Sequence, residues 1–145
     1  MSATVSHTPG SNHLSHRVGT DPAHDAFVLL RIGFTVLPIV FGLDKFTDIL
    51  TNWENYLAPW AVDLLPFSAH IAMLIVGVIE ILAGVLVALK PRVGAYVVAL
   101  WLAGIVVNLV TFGYYDIALR DVGLLLGALT LGRLASVYDR PRRTH

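Results

Sequence analysis

"IVGVIEILAGVLVAL", residues 75–89, holds one charged side chain, Glu80, near the middle of an otherwise apolar run. A run of this kind is too apolar for a solvated helix and long enough to be buried in lipid. A charge at the centre of such a helix costs at least ~2.5–3.5 kcal/mol on insertion scales, so the carboxylate must be paired, protonated or wetted. Which of these holds depends on what the rest of the chain brings to the same depth.

The chain has 145 residues, 56% of them hydrophobic and 14% charged, against about a quarter charged in soluble domains. Its mean hydropathy is +0.71. A single soluble domain of this size cannot hide that much apolar surface. Four stretches, near 26–46, 69–89, 93–113 and 117–137, reach the roughly 20 residues that a helix needs to cross a bilayer. The expected fold is all-α: a polytopic membrane protein whose residues 26–138 form an antiparallel bundle of four transmembrane helices. Residues 1–25, rich in Ser, Thr, His, Gly and Pro, read as a disordered tail, and 139–145 as a short basic one.

The distribution of Lys and Arg sets the expected orientation. Arg17, Lys90, Arg92, Arg133, Arg140, Arg142 and Arg143 flank one side of the spans; Lys45 and Arg120 sit on the other beside Asp44, Asp48, Glu54, Asp63, Asp116 and Asp121. Both termini should therefore be cytoplasmic. The long loop "TDILTNWENYLAPWAVDLLPF" (47–67) carries Ile49, Trp53, Tyr56 and Trp60 at helical spacing, which reads as an interfacial helix broken near Pro59. Trp53, Tyr56 and Trp60 are also candidates for a lid.

Each span gathers small and polar residues on one face. Arg31, Thr35, Pro38, Gly42 and Lys45 follow steps of four and three on the first, and Gly77, Glu80 and Gly84 share a face on the second. Trp101, Gly104, Asn108 and Thr111 do so on the third, and Arg120, Gly123, Gly127 and Thr130 on the fourth. Small residues let helix backbones approach and polar ones need partners, so these stripes should face inward. Gly42, Gly77, Gly84, Gly104, Gly123 and Gly127 are the expected packing positions. Counted from the outer helix ends, Arg31 lies roughly 22 Å deep and Glu80 roughly 16 Å, so the expected intramembrane pair is Arg31 with Glu80. Asp44, Lys45, Asn108, Arg120 and Asp121 form a second polar layer nearer the outer end, a candidate ligand site.

No cysteine is present, which excludes disulfides, thiolate-held clusters and Cys-ligated zinc. No Walker loop, G-x-S-x-G or HExxH motif occurs, and no inward pair of histidines is available for haem. No metal, covalent cofactor or catalytic residue is expected. Carboxylates, Arg, Lys and Tyr suit proton relay or binding of an anion or quinone headgroup. Nucleic-acid binding has no support, since the basic C-terminal end is short and positive-inside anchoring accounts for it.

The motifs "LLRIGFTVLPIVFGLDKF" (29–46), "GVIEILAGVLVALKPR" (77–92), "WLAGIVVNLV" (101–110) and "YYDIALRDVGLLLGAL" (114–129) together resemble the DoxX-like family of small four-helix bacterial membrane proteins. The family's recurring polar residues would fall on Arg31, Lys45, Glu80, Asn108, Arg120 and Asp121. The resemblance implies a bacterial cytoplasmic (inner) membrane location. It also implies a membrane subunit or accessory protein of a redox, quinone-linked system, docked to an oxidoreductase and without a self-sufficient catalytic centre. Quinone is the one small-molecule cofactor it suggests, and a homo-oligomer fits as well. Two other expectations stay open: a proton or small-molecule pathway gated by Arg31 and Glu80, and a purely structural membrane scaffold.

Overall fold

The structure is a computed structural model, and it describes residues 21–139. Its long helices are α1 (Pro22–Asp44), α3 (Ala69–Leu89), α4 (Pro91–Phe112) and α5 (Tyr115–Tyr138); the loop after α1 holds a 3-10 turn (Trp53–Tyr56) and a short α2 (Pro59–Leu64). No strand occurs among the described residues. α1, α3 and α4 are long and apolar enough to cross a membrane, and they mark the chain as a membrane protein. α5 is as long but is not one of these three; it carries Asp116, Arg120, Asp121 and Arg133.

Local chemistry sets the helix ends. Asp21 caps α1 by accepting from the Ala23 N–H at 3.1 Å, with Pro22 at the first helical position, where a missing N–H costs nothing. α1 therefore begins four residues before the expected span, and residues 22–25 are helical rather than part of a tail. The rest of the expected tail, residues 1–20 with Arg17, lies outside the described residues, as does 140–145 at the other end. Ser68 caps α3, and Lys90 separates α3 from α4, which starts on Pro91. α4 ends in a Schellman turn: Gly113 has φ +89°, open to a residue without Cβ, and the Tyr114 N–H reaches back to the Leu109 carbonyl at 3.0 Å. In the loop the structure has not one helix but two short pieces, the 3-10 turn and α2, which starts on Pro59 after the extended Leu57 and Ala58.

The long helices form a ring in which α1 packs on α3, α3 on α4, α4 on α5 and α5 on α1. The centre is built from small and medium side chains, with Val87, Ala95, Ala128 and Leu131 fully buried. Leu29, Leu82, Leu100 and Leu119 are exposed on the outside, as lipid-facing residues would be. At one end of the ring Tyr138 donates a hydrogen bond to the Asp21 carboxylate, tying the start of α1 to the end of α5.

That bond, joined by the Ala23 N–H, holds the Asp21 pKa below its ordinary 3.8. A depressed folded-state pKa stabilises the fold above the ordinary value, and the contribution is lost as pH falls through the lowered one. Acidification should therefore loosen the α1–α5 end first. Hydrogen exchange at residues 23–25 will report it, and the pH response should shrink in Tyr138→Phe, where the Ala23 N–H still holds the carboxylate.

Gly42, Gly77 and Gly84 line the seam between α1 and α3. A Cβ on Gly42 would lie 2.6 Å from the Gly77 carbonyl oxygen, one on Gly77 2.7 Å from the Gly42 oxygen, and one on Gly84 2.7 Å from the Thr35 oxygen. Gly127 faces the Phe34 ring at 3.2 Å. Two expected packing positions fail: Gly104 and Gly123 have nothing within 4 Å of a built Cβ. The Gly123–Gly127 pair is thus not a GxxxG seam, because only Gly127 turns toward a neighbouring helix.

Candidate functional site

The α1–α3 seam decides where Glu80 points. Gly42 lies against Gly77, Thr35 against Gly84 and Arg31 against Ala88, so each step up α1 is matched by an equal step back along α3. In that register Glu80 is level with Ile39, about 12 Å along the axis from Arg31 and about 9 Å from Lys45. Side-chain direction then settles the choice. Helical side chains lean toward the N-terminus of their own helix. On these antiparallel helices Lys45 and Glu80 lean toward each other, and Arg31 leans away from Glu80.

The expected Arg31–Glu80 pair is therefore replaced by another. The Lys45 ammonium sits 2.7 Å from a Glu80 carboxylate oxygen, with Lys45 5% and Glu80 9% exposed. Arg31 instead donates to the Ala88 carbonyl at 2.5 Å, one of the four carbonyls left without a partner at the C-terminal end of α3. Arg31 is a helix cap, and Lys45 belongs to the buried pair.

The same ammonium lies 3.8 Å from the centre of the Trp53 ring, a cation–π contact that joins the pair to the loop. Asp44, one residue earlier, is not a counter-ion but an anchor. Its carboxylate accepts from the Ile49 N–H (3.1 Å), the Leu50 N–H (3.1 Å) and the Trp53 indole N–H (2.7 Å). Asn108 on α4 clamps the next part of the loop, accepting from the Ala58 N–H at 3.0 Å and donating to the Tyr56 carbonyl at 2.8 Å. Trp60 donates to Thr111 at 2.9 Å, and His70 meets Glu54 at 2.9 Å. The loop is sewn to α1, α3 and α4 as a cover.

Asp44→Ala removes the acceptor for three N–H groups. Hydrogen bonds to a charged partner contribute about 1.5–3 kcal/mol each, and neighbouring ones do not simply add. Exchange at Ile49 and Leu50 should rise by one to two orders of magnitude while α3 and α4 stay protected.

Beneath the cover is a cavity of about 660 Å³. Trp53 and Tyr56 roof it, whereas Trp60, the third expected lid residue, does not line it. Lys45, Glu80, Arg120 and Asp121 bring charge to its wall; Phe41, Met73, Leu102, Ile105 and Leu124 supply apolar surface. Gly104, open on its Cβ side, lines the cavity rather than packing a seam. Arg120 and Asp121 make no hydrogen bond or ion pair with any described residue. Of the expected outer layer, Lys45, Asn108, Arg120 and Asp121 thus meet at one cavity, and Asp44 stands behind its roof.

A smaller cavity of about 80 Å³ continues inward past Glu80 and Trp101, walled by Phe34, Leu37, Pro38, Ala83 and Val98. Trp101 lines both, and its indole N–H is buried without a hydrogen-bond partner. Buried donors are almost always satisfied, so this one marks a place where an acceptor belongs. Periodicity puts Trp101 on the inward face but carries no sign that its N–H is unmet. The apolar lining leaves no signal at all in a chain where apolar residues are the background.

No known protein family, curated protein or solved structure matches this chain.

Proposed function

We propose that the chain is a four-helix membrane bundle of the DoxX-like kind, with both termini cytoplasmic in a bacterial inner membrane. In this reading it serves as the membrane subunit or accessory protein of a quinone-linked redox system, without a catalytic centre of its own. α5 is the fourth span, its charges accepted because Arg120 and Asp121 line the cavity and Arg133 lies near the basic end. The observation that carries the reading is the covered cavity: concave, walled mainly by apolar and aromatic side chains, with a few polar groups converging at one end. That is the usual make-up of a small-molecule site, and its volume is in the range that drug-sized ligands fill.

A ring carrying carbonyl oxygens would pack beneath Tyr56, beside the Lys45–Trp53 contact, and accept from the free Arg120 guanidinium. The pathway reading loses its gate, since Arg31 and Glu80 do not meet. A purely structural scaffold leaves the unpaired charges at the cavity without a role.

The test is gentle purification from native membranes, with extraction of bound quinone and mass spectrometry of proteins that come along. Stoichiometric quinone, lost in Arg120→Ala while the protein keeps its fold, supports the reading. A clean preparation with neither quinone nor an oxidoreductase would sink it.

A further inference from the structure

We propose that the cavity is loaded from the hydrocarbon phase, by an uncharged amphipath that passes between α1 and α5, and not through the loop end. This rests on the membrane and ligand-site reading above and narrows the ligand to a lipid-soluble molecule with a neutral, hydrogen-bond-accepting head.

The loop is pinned across its end of the cavity by polar contacts. Asp44, Asn108 and Thr111 each hold the cover with at least one hydrogen bond, and the Lys45 ammonium lies against Trp53. The apolar extension is different. Its lining residues from α3 and α4 are buried or half-buried, whereas Leu37 (45% exposed) and Phe41 (37%) on α1 and Leu124 (40%) on α5 reach the outer surface. Those three edge a slot between α1 and α5, and the Phe34 ring on Gly127 forms its floor. Phe41, Glu80, Trp101, Leu102, Ile105 and Leu124 line both cavities, so slot and polar end are one passage.

The head must be uncharged because the wall already balances. Lys45 and Arg120 face Glu80 and Asp121, and a net-charged head would be desolvated without a net counter-charge. The head must accept because Arg120 donates freely and the Trp101 N–H lacks a partner. The tail needs only the apolar slot.

The chain has no cysteine, so single thiols can be placed cleanly. The full chain is reconstituted in lipid nanodiscs with Trp60 kept, because its bond to Thr111 helps hold the cover and its indole, outside the cavity, adds only an unsaturable background. A decyl-substituted benzoquinone is added, and saturable quenching of Trp53 and Trp101 is followed. Leu124→Cys blocked with a benzyl methanethiosulfonate should slow association at least about tenfold and recover on reduction, the equivalent of about 1.4 kcal/mol in barrier. The same adduct at Asn55→Cys, exposed on the cover and off the cavity wall, should leave the rate within about twofold. The reverse pattern, or no slowing at either site, overturns lateral loading. Decanoate above its own pKa should compete at least about tenfold less well than the quinone, and equal competition overturns the uncharged head. Absence of any saturable quenching in the unblocked protein instead overturns the quinone-binding reading itself.

Discussion

Lys45→Met should destabilise the fold by about 3–5 kcal/mol, the usual loss when one partner of a buried ion pair is removed and the other left behind. Glu80 is 9% exposed, and the ammonium is the one hydrogen-bond partner of its carboxylate among the described residues. Trp53 loses the cation under its ring as well, so the cover should loosen along with the core. Lys45→Met combined with Glu80→Leu should recover most of the loss, because two apolar side chains of similar volume replace a pair whose attraction is largely offset by desolvation. Arg31→Ala should lose about 1.5–3 kcal/mol by uncapping the Ala88 carbonyl, and that loss should add to Glu80→Leu without coupling. Unfolding in mixed micelles, read as two double-mutant cycles, separates the possibilities. Coupling of Glu80 with Arg31 and none with Lys45 would refute the register described above.

The gap between the expected pair and the real one shows what the sequence could and could not carry. The helices themselves were largely legible: α3 occupies the residues of the second apolar stretch and α4 starts on Pro91, whereas the start of α1, with Asp21 and Pro22 as its cap and first residue, was hidden in a polar stretch that reads as tail. The pairing was not, for two physical reasons. Counting depth from helix ends assumes the ends are flush, yet Lys45 at the end of α1 packs against Gly77, eight residues into α3. Residue counting also ignores the lean of side chains toward their own N-terminus, which separates Arg31 from Glu80 and brings Lys45 in. Polar residues were recognised as inward but not sorted by job. Asp44 and Asn108 spend their hydrogen bonds on loop backbone, whereas Arg120 and Asp121 keep theirs unspent at the cavity.

Glycine sorting follows the same logic and gives the second large effect. Gly77→Ala should destabilise by about 1–3 kcal/mol, in the range for overpacking a tight seam, and a larger side chain should cost more. The new methyl would meet the Gly42 carbonyl oxygen at 2.7 Å, which is backbone and cannot rotate away. It would also stand 3.1 Å from the Lys45 Cβ and 3.2 Å from the Phe46 ring, so α1 must shift just where it delivers the ammonium to Glu80. The substitution therefore strains the seam and lengthens the ion pair together. Gly123→Ala, at an expected packing position, adds its methyl to open space; removing a helix-interior glycine there should be neutral or stabilise by up to about 1 kcal/mol. The two are the same chemical change on helices of the same bundle, so lipid composition and micelle effects cancel in the comparison. If both lost stability equally, Gly123 would have to face a neighbouring helix, and the placement of α5 against α1 and α4 would be wrong. If neither did, the α1–α3 seam would be looser than Gly42 and Gly77 allow, and the buried Lys45–Glu80 pair would lose the close approach that makes it possible.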